Sequence, residues 1–351
     1  PIPTQNGLGM IQVVHRQLKP LLNELQRTNA HEAVVKDALR AFPMGESLLR
    51  LEIHKLWAKG LTGQGVKVAV IDDGIDLNHP DLADATQVSY NMTRDRGDMV
   101  KGPHGTAMVD ILHAIAPGAE ITSYKVLSNS NLPGVMLNFQ ESLNLVMAAL
   151  ERARANGAKI ISMSLGAPMG YGNGAIADKI ASLVKEGIAV IIAAGNSGTE
   201  LPPGLQVGTP GSAPEAITVG AVDYHGRRAD FSSKGMVFNP ADYTINDKPD
   251  IYTYGVNVKA AVRMPAPLYQ KELVPYRPIS GTSPATPHIA AVVALMYEAA
   301  QKAGLSLDGP AVVAAVRAAM REAATSVTGV LVLESAEKAV DQFIRLLTPI
   351  V

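Results

Sequence analysis

The sequence predicts a doubly wound α/β fold: a mostly parallel sheet flanked by helices on both faces, preceded by a helical N-terminal extension. Three observations carry this. Short β-branched runs recur at residues 66–71, 121–126, 159–163, 189–193 and 216–222. They are apolar on both faces rather than alternating, as strands buried between two helical layers must be. Longer stretches of helical period, such as 143–156 and 176–186, separate them, which is the βαβ order of a parallel sheet.

From the N-terminus, apolar residues recur at Met10, Val14, Leu18, Leu21, Leu22 and Leu25, a helical period. Asn29 and Glu32 form a capping pair for a second helix reaching about Phe42. Residues 1–49 are therefore expected to be the helical extension and residues 50–351 the main α/β domain. At about 100 to 200 residues per domain, 351 residues allow one large or two ordinary domains, and 47% apolar residues supply ample core. A net charge of −1 with no long basic run gives no electrostatic reason to expect a nucleic acid or an anionic membrane surface as partner. No apolar stretch reaches the roughly 18 residues of a membrane span. The absence of cysteine excludes disulfides, thiolate metal sites and a cysteine nucleophile. The histidines outside the motifs below lack ligand spacing, so no metal site is expected.

In doubly wound sheets the chemistry collects at the carboxyl ends of strands, so polar residues just after strands are the candidates. Asp72 ends the apolar run 68–71 and is followed by Asp73, Gly74, Ile75 and Asp76. A carboxylate at the tip of a buried strand needs a partner. His104-Gly105-Thr106 opens a helical stretch at 107–114, where the helix dipole disfavours a charged imidazole and suits a proton acceptor. Gly195-Asn196 follows the strand at 189–193, and its amide can donate over a cleft. Gly281-Thr282-Ser283-Pro284 leads into an apolar helix, placing a hydroxyl beside backbone N–H donors. Each of these is also an ordinary turn or cap sequence when read alone.

Taken together and in this order, with Ser164-Leu165-Gly166 between them, the segments resemble the subtilisin-like serine proteases, the subtilases. The likeness runs from about residue 56 to about residue 339. It implies a subtilisin-like fold and a peptidase acting through an acyl-enzyme without a required cofactor. Ser283 would be the nucleophile, His104 the base and then acid, and Asp72 the carboxylate orienting the imidazole, in preference to Asp73. Asn196 and the N–H of Ser283 would form the oxyanion hole. Ser164, Leu165, Gly166, Gly195 and Gly208 would bind substrate, and Gly208 at a pocket floor without charge implies a large uncharged side chain before the cleaved bond.

Departures from the family pattern are visible. Proline replaces the usual methionine at Pro284, and Ala107 and Asp110 replace the usual histidine and glycine. Only nine residues, 107–115, separate His-Gly-Thr from Ala116-Pro117-Gly118, where many members carry a calcium-binding loop. That calcium site is therefore not expected, although Asp81 matches one ligand. Tyr252, Tyr254, Tyr269 and Tyr276 fall in a stretch read as loop, packing on the surface or contacting substrate. Two other readings of the same residues are a subtilase that processes or ligates one precursor and a pseudoprotease used as a binding module, which would lack a triad member. The partner expected is a peptide or protein substrate. Localisation is undecided, with the resemblance leaning towards secretion.

Overall fold

The computed structural model describes residues 32–348 apart from 41, 80, 83–84, 131–136, 241 and 264–275. The helix expected over residues 10–25 and Tyr269 lie outside the described residues. The strands of the first half are β1 Lys67–Asp72, β2 Thr86–Asn91, β3 Glu120–Lys125, β4 Ile160–Met163, β5 Ala189–Ala193 and β6 Ile217–Val222. Five of the six coincide with the predicted runs, and β2 was not foreseen. In the second half, β7 Gly235–Asn239 and β8 Thr244–Lys248 make a hairpin, followed by β9 Ile251–Tyr254. A small antiparallel pair, β10 Val258–Ala261 and β11 Tyr276–Ile279, leads to the C-terminal helices, between which lie β12 Ala324–Val327 and β13 Val330–Leu333.

Nine strands form one sheet in the order β12-β13-β9-β6-β5-β4-β1-β3-β2. Every neighbouring pair is parallel except β12 and β13, so the doubly wound, mostly parallel sheet is as predicted. β4, β5 and β6 are buried along their whole length because helices cover both faces. The direction of winding reverses at β1, which pairs with β3 on one side and β4 on the other. Such a switch point opens a crevice beyond the strand ends, and β1 ends on Asp72.

The helices are α1 Glu32–Arg40, α2 Gly45–Arg50, α3 Ile53–Ala58, α4 Pro103–Ile115, α5 Phe139–Ala155, α6 Ala175–Lys185, α7 Thr282–Lys302, α8 Pro310–Ala323 and α9 Ala336–Leu347. α5 begins ahead of the predicted 143 because Asn138 and Glu141 close a capping box. Leu39, Leu48, Leu51, Leu56 and Trp57 are fully buried and belong to the same hydrophobic cluster as the sheet. Trp57 also donates its indole N–H to Ile115 O at 3.0 Å. Tyr252 and Tyr254 are not loop residues: both are buried on β9, where Tyr254 packs against Tyr224.

The base of β9 is held by a buried charge cluster. Asp250 accepts from Lys248 Nζ at 2.8 Å and from Thr218 N at 2.7 Å, and it also pairs with Arg317. Lys248 is 2% exposed, and burial pushes its pKa down to about 8. Removing the shared carboxylate strands two cations, a situation that costs about 3–5 kcal/mol. Asp250→Ala is expected to lower the unfolding free energy on that scale, measured by urea titration. A loss within the noise of the measurement would mean that the cluster carries no stability.

Candidate active site

The candidate side chains lie at the end of β1 and at the first turns of α4 and α7. Asp72, 1% exposed, places Oδ1 2.7 Å from His104 Nδ1 and accepts the Asp73 N–H on the same oxygen at 2.7 Å. Holding Nδ1 leaves Nε2 as the imidazole nitrogen directed away from the carboxylate. His104 is the second residue of α4, and 40% of its side chain remains accessible. The Asp72 charge, acting against burial, raises its pKa to about 9. Only the neutral imidazole accepts a proton, so a reaction using His104 as base should gain rate as pH rises towards that value. The acid limb of a kcat/KM profile is expected on the alkaline side of 6.5, the ordinary histidine value; a limb below 6.5 would contradict this role.

Ser283 is the second residue of α7, following Gly281 at the N-cap. Its hydroxyl donates to Ser164 O at 3.3 Å, while Ser164 Oγ donates to Ser283 O at 2.8 Å. The second bond follows from the helix sequence. Pro287, four residues on, has no N–H for the Ser283 carbonyl, and Ser164 supplies the missing donor. Pro284 stands at the third helical position and is tolerated there because N–H groups of the first turn have no intrahelical acceptor.

Asn196 follows β5. Its Oδ1 accepts from Thr282 N at 2.9 Å and from Thr282 Oγ1 at 3.1 Å. A backbone N–H can only donate, so this contact fixes which end of the amide is oxygen and turns Nδ2 outward. Gly195 N donates to Thr282 Oγ1 at 3.1 Å, and Gly195 holds a φ of +101°, left-handed backbone that favours glycine. A methyl group built on Gly281 would lie 3.4 Å from Asn196 Nδ2 and 3.5 Å from Ser283 N. Two potential donors therefore lie close to one point beside Gly281. Gly281 N in turn donates to Gly255 O at 2.9 Å, so the segment following β9 braces this turn.

The segment after β4 runs from the site outward. Ser164, Leu165 and Gly166 lead to Ala167, which pairs antiparallel with Thr209 through bonds of 2.9 and 2.8 Å. Gly208 lies against this pair: a Cβ there would come within 2.4 Å of Ala167 O. Beside Leu165 and Gly166 is a cavity of about 370 Å³ whose walls include Leu127, Phe139, Leu143 and Ile176 and, among the described residues, carry no charged side chain. Sequence reasoning thus named residues that gather here, and it missed Thr282, which anchors Asn196, and Asp73, whose carboxylate reaches the backbone of His104 and Gly105. Asp110 departs from the family pattern because its carboxylate accepts the Ala261 N–H at 2.8 Å, tying α4 to β10. Among the described residues, Asp72, Asp73 and His104 are the group of acidic and histidine side chains close enough to share a metal ion, and they are bonded to one another and to backbone.

Comparison with known proteins identifies the family and the fold. The model of the subtilase family matches residues 63–341. Subtilisin E of Bacillus subtilis (strain 168) is 30% identical over 75% of the chain, which spans 63% of that relative's length. Subtilisin of Bacillus pumilus is 30% identical over 73% of the chain and 85% of its own length. Among solved structures, the prenylagaramide maturation protease PagA superposes with a TM-score of 0.61 at 23% identity, covering 84% of this chain and 98% of that one. A point mutant of the protease domain of PatA gives 0.62 at 23% identity, covering 82% and 97%. The chain belongs to the subtilase family of serine peptidases. Members of this family generally work without a cofactor, with calcium sites in some, and no described helix is long and apolar enough to cross a membrane.

Proposed function

We propose that the chain is a serine endopeptidase whose residues 50–351 form the catalytic domain and whose residues 1–49 are an N-terminal extension, with Val35, Leu39, Met44 and Leu48 of its described part packed into the same core. The observations that support the reading are the closeness of Asn196 Nδ2 and Ser283 N to one point beside Gly281, at 3.4 and 3.5 Å, and an imidazole held by a buried carboxylate at the end of β1. The Ser283 hydroxyl leaves its long bond to Ser164 O and turns to His104 Nε2. His104 removes the hydroxyl proton as Oγ attacks the scissile carbonyl carbon, and the carbonyl electron pair moves onto oxygen between the two donors. His104 then gives the proton to the departing amine, the C–N bond breaks and the acyl group stays on Ser283. Water, deprotonated by the same imidazole, cleaves that ester and restores the serine. Asp72 holds the tautomer and stabilises the imidazolium throughout.

Substrate lies along residues 164–166 as an added strand, so its backbone rather than its sequence supplies much of the binding. The uncharged wall beside Leu165 and Gly166 favours large uncharged side chains upstream of the cleaved bond. Digestion of an unbiased peptide library, with products read by mass spectrometry, is expected to place cleavages mostly after leucine, methionine, phenylalanine and tyrosine. Cleavages concentrated after charged residues would refute this preference.

A further inference from the structure

α4 starts without a cap of its own. Its N-cap residue is Gly102, its first helical residue is Pro103, and no side chain of the helix closes its free N–H groups. The cap comes from another element: Asp73 Oδ1 accepts from Gly105 N at 2.7 Å, and Oδ2 accepts from His104 N at 3.3 Å. The chain is shaped for this contact. A Cβ at Gly102 would lie 1.9 Å from Asp73 Oδ1, and one at Gly105 would lie 2.2 Å from Gly74 O and 3.2 Å from Asp72 Cβ. Only glycine at both positions lets the helix end sit on the strand tip.

Asp73 is itself gripped from behind. Its carbonyl accepts from Lys125 Nζ at 2.5 Å and from Asn129 Nδ2 at 3.0 Å. Lys125 is fully buried and pairs with the equally buried Asp95 at 2.9 Å. That carboxylate also accepts from Ser128 Oγ at 2.6 Å and from Asn129 N at 2.8 Å. The ion pair therefore locks the segments on either side of the strand tip, and Asp73 passes that rigidity to the helix carrying His104.

We propose that Asp73 is a positioning residue for His104, capping the helix that presents the imidazole and adding a second negative charge behind it. The proposal rests on the reading of His104 as general base. A serine or threonine would cap as well; the carboxylate differs by its charge, which the helix N-terminus favours. The ionisable groups facing this corner are Asp72 and Asp73 on the β1 tip, Lys125 and Asp95 behind it, and Lys101 with Asp76 ahead of α4. Burial and the Asp72 charge push the Asp73 carboxyl up to about 6, and Asp73 in its ionised form contributes to the raised His104 value. Protonating Asp73 weakens cap and charge together.

The test compares Asp73→Asn, which keeps an oxygen for Gly105 N and loses the charge, with Asp73→Ser and Asp73→Ala. His104 is titrated by NMR in the full chain without substrate, and kcat/KM is followed against pH. In Asp73→Asn both the His104 midpoint and the acid limb should fall by about one pH unit, the low end of what a neighbouring charge contributes. In Asp73→Ala the plateau kcat should fall by roughly tenfold or more as the imidazole loses its placement, with Asn recovering part of that loss. An unchanged His104 midpoint in Asp73→Asn would overturn the electrostatic role, and equal plateau rates in wild type and Asp73→Ala would overturn the positioning role. If Asp73→Ala does not fold, Asp73→Cys, close in size to serine but only a weak acceptor, stands in as the variant that loses the cap. The NMR titration needs no activity, so a wild-type chain that hydrolyses nothing would refute the peptidase reading while leaving this inference separately decided.

Discussion

Replacing Ser283 by alanine should lower kcat for peptide hydrolysis by roughly a millionfold, the scale on which removing a nucleophile from such a constellation acts. The structure argues that this loss will not come from unfolding. The hydroxyl makes one long bond, 3.3 Å to Ser164 O, and its removal leaves Ser283 N, the Ser164 Oγ bond to Ser283 O and the Thr282 anchor untouched. The thermal midpoint of Ser283→Ala should therefore match wild type. His104→Ala should fall to a similar rate, and the double variant hardly further, because a base without its nucleophile has nothing to deprotonate. Full additivity of the two losses, measured with one substrate under one set of conditions, would show that the residues do not act as a unit.

Asn196→Ala should cost about 100- to 1,000-fold in kcat with little change in KM, the loss of one donor to an oxyanion that exists only on the reaction path. Alanine also removes the acceptor for Thr282 N and Thr282 Oγ1, so a fall in rate alone would mix donation with anchoring. Asn196→Asp separates them. Aspartate keeps an oxygen for Thr282 and lacks the outward N–H, so it should preserve the thermal midpoint while losing at least as much rate as alanine. If the aspartate variant retained wild-type kcat, Asn196 would be an anchor and not an oxyanion donor.

The sheet was legible because β4, β5 and β6 are buried along their whole length and β1 along most of it, and they are rich in apolar residues; β3, Glu120–Lys125, carries a weaker signal around Ile121 and Tyr124. β2 was not, since Thr86–Asn91 mixes polar and apolar residues at the sheet edge. The β7 and β8 hairpin was missed for a related reason: Met236, Phe238 and Ile245 face solvent, while Val237 faces inward, an alternation without a run to detect. The early start of α5 did have a local signal in Asn138 and Glu141. For the site, strand-end residues and glycine turns revealed which side chains could meet, because those features are local in sequence. How they are held was not legible. That Asp73 caps α4 from outside depends on the register of β1 with β3 and on two glycines that only the folded chain brings against it. The one sequence hint was a helix opening Gly102-Pro103-His104 with no capping residue, which requires a cap from elsewhere.

The central claim is that Ser283 is made nucleophilic by the imidazole held on Asp72. A fluorophosphonate, which reacts with activated serines, tests it most directly when the modified peptide is identified by mass spectrometry. The account predicts a single adduct on the α7 N-terminal peptide at Ser283, formed in wild type, greatly slowed in His104→Ala and absent in Ser283→Ala. Hydrolysis that continues after complete labelling, or an adduct on any other residue that abolishes it, would contradict the account.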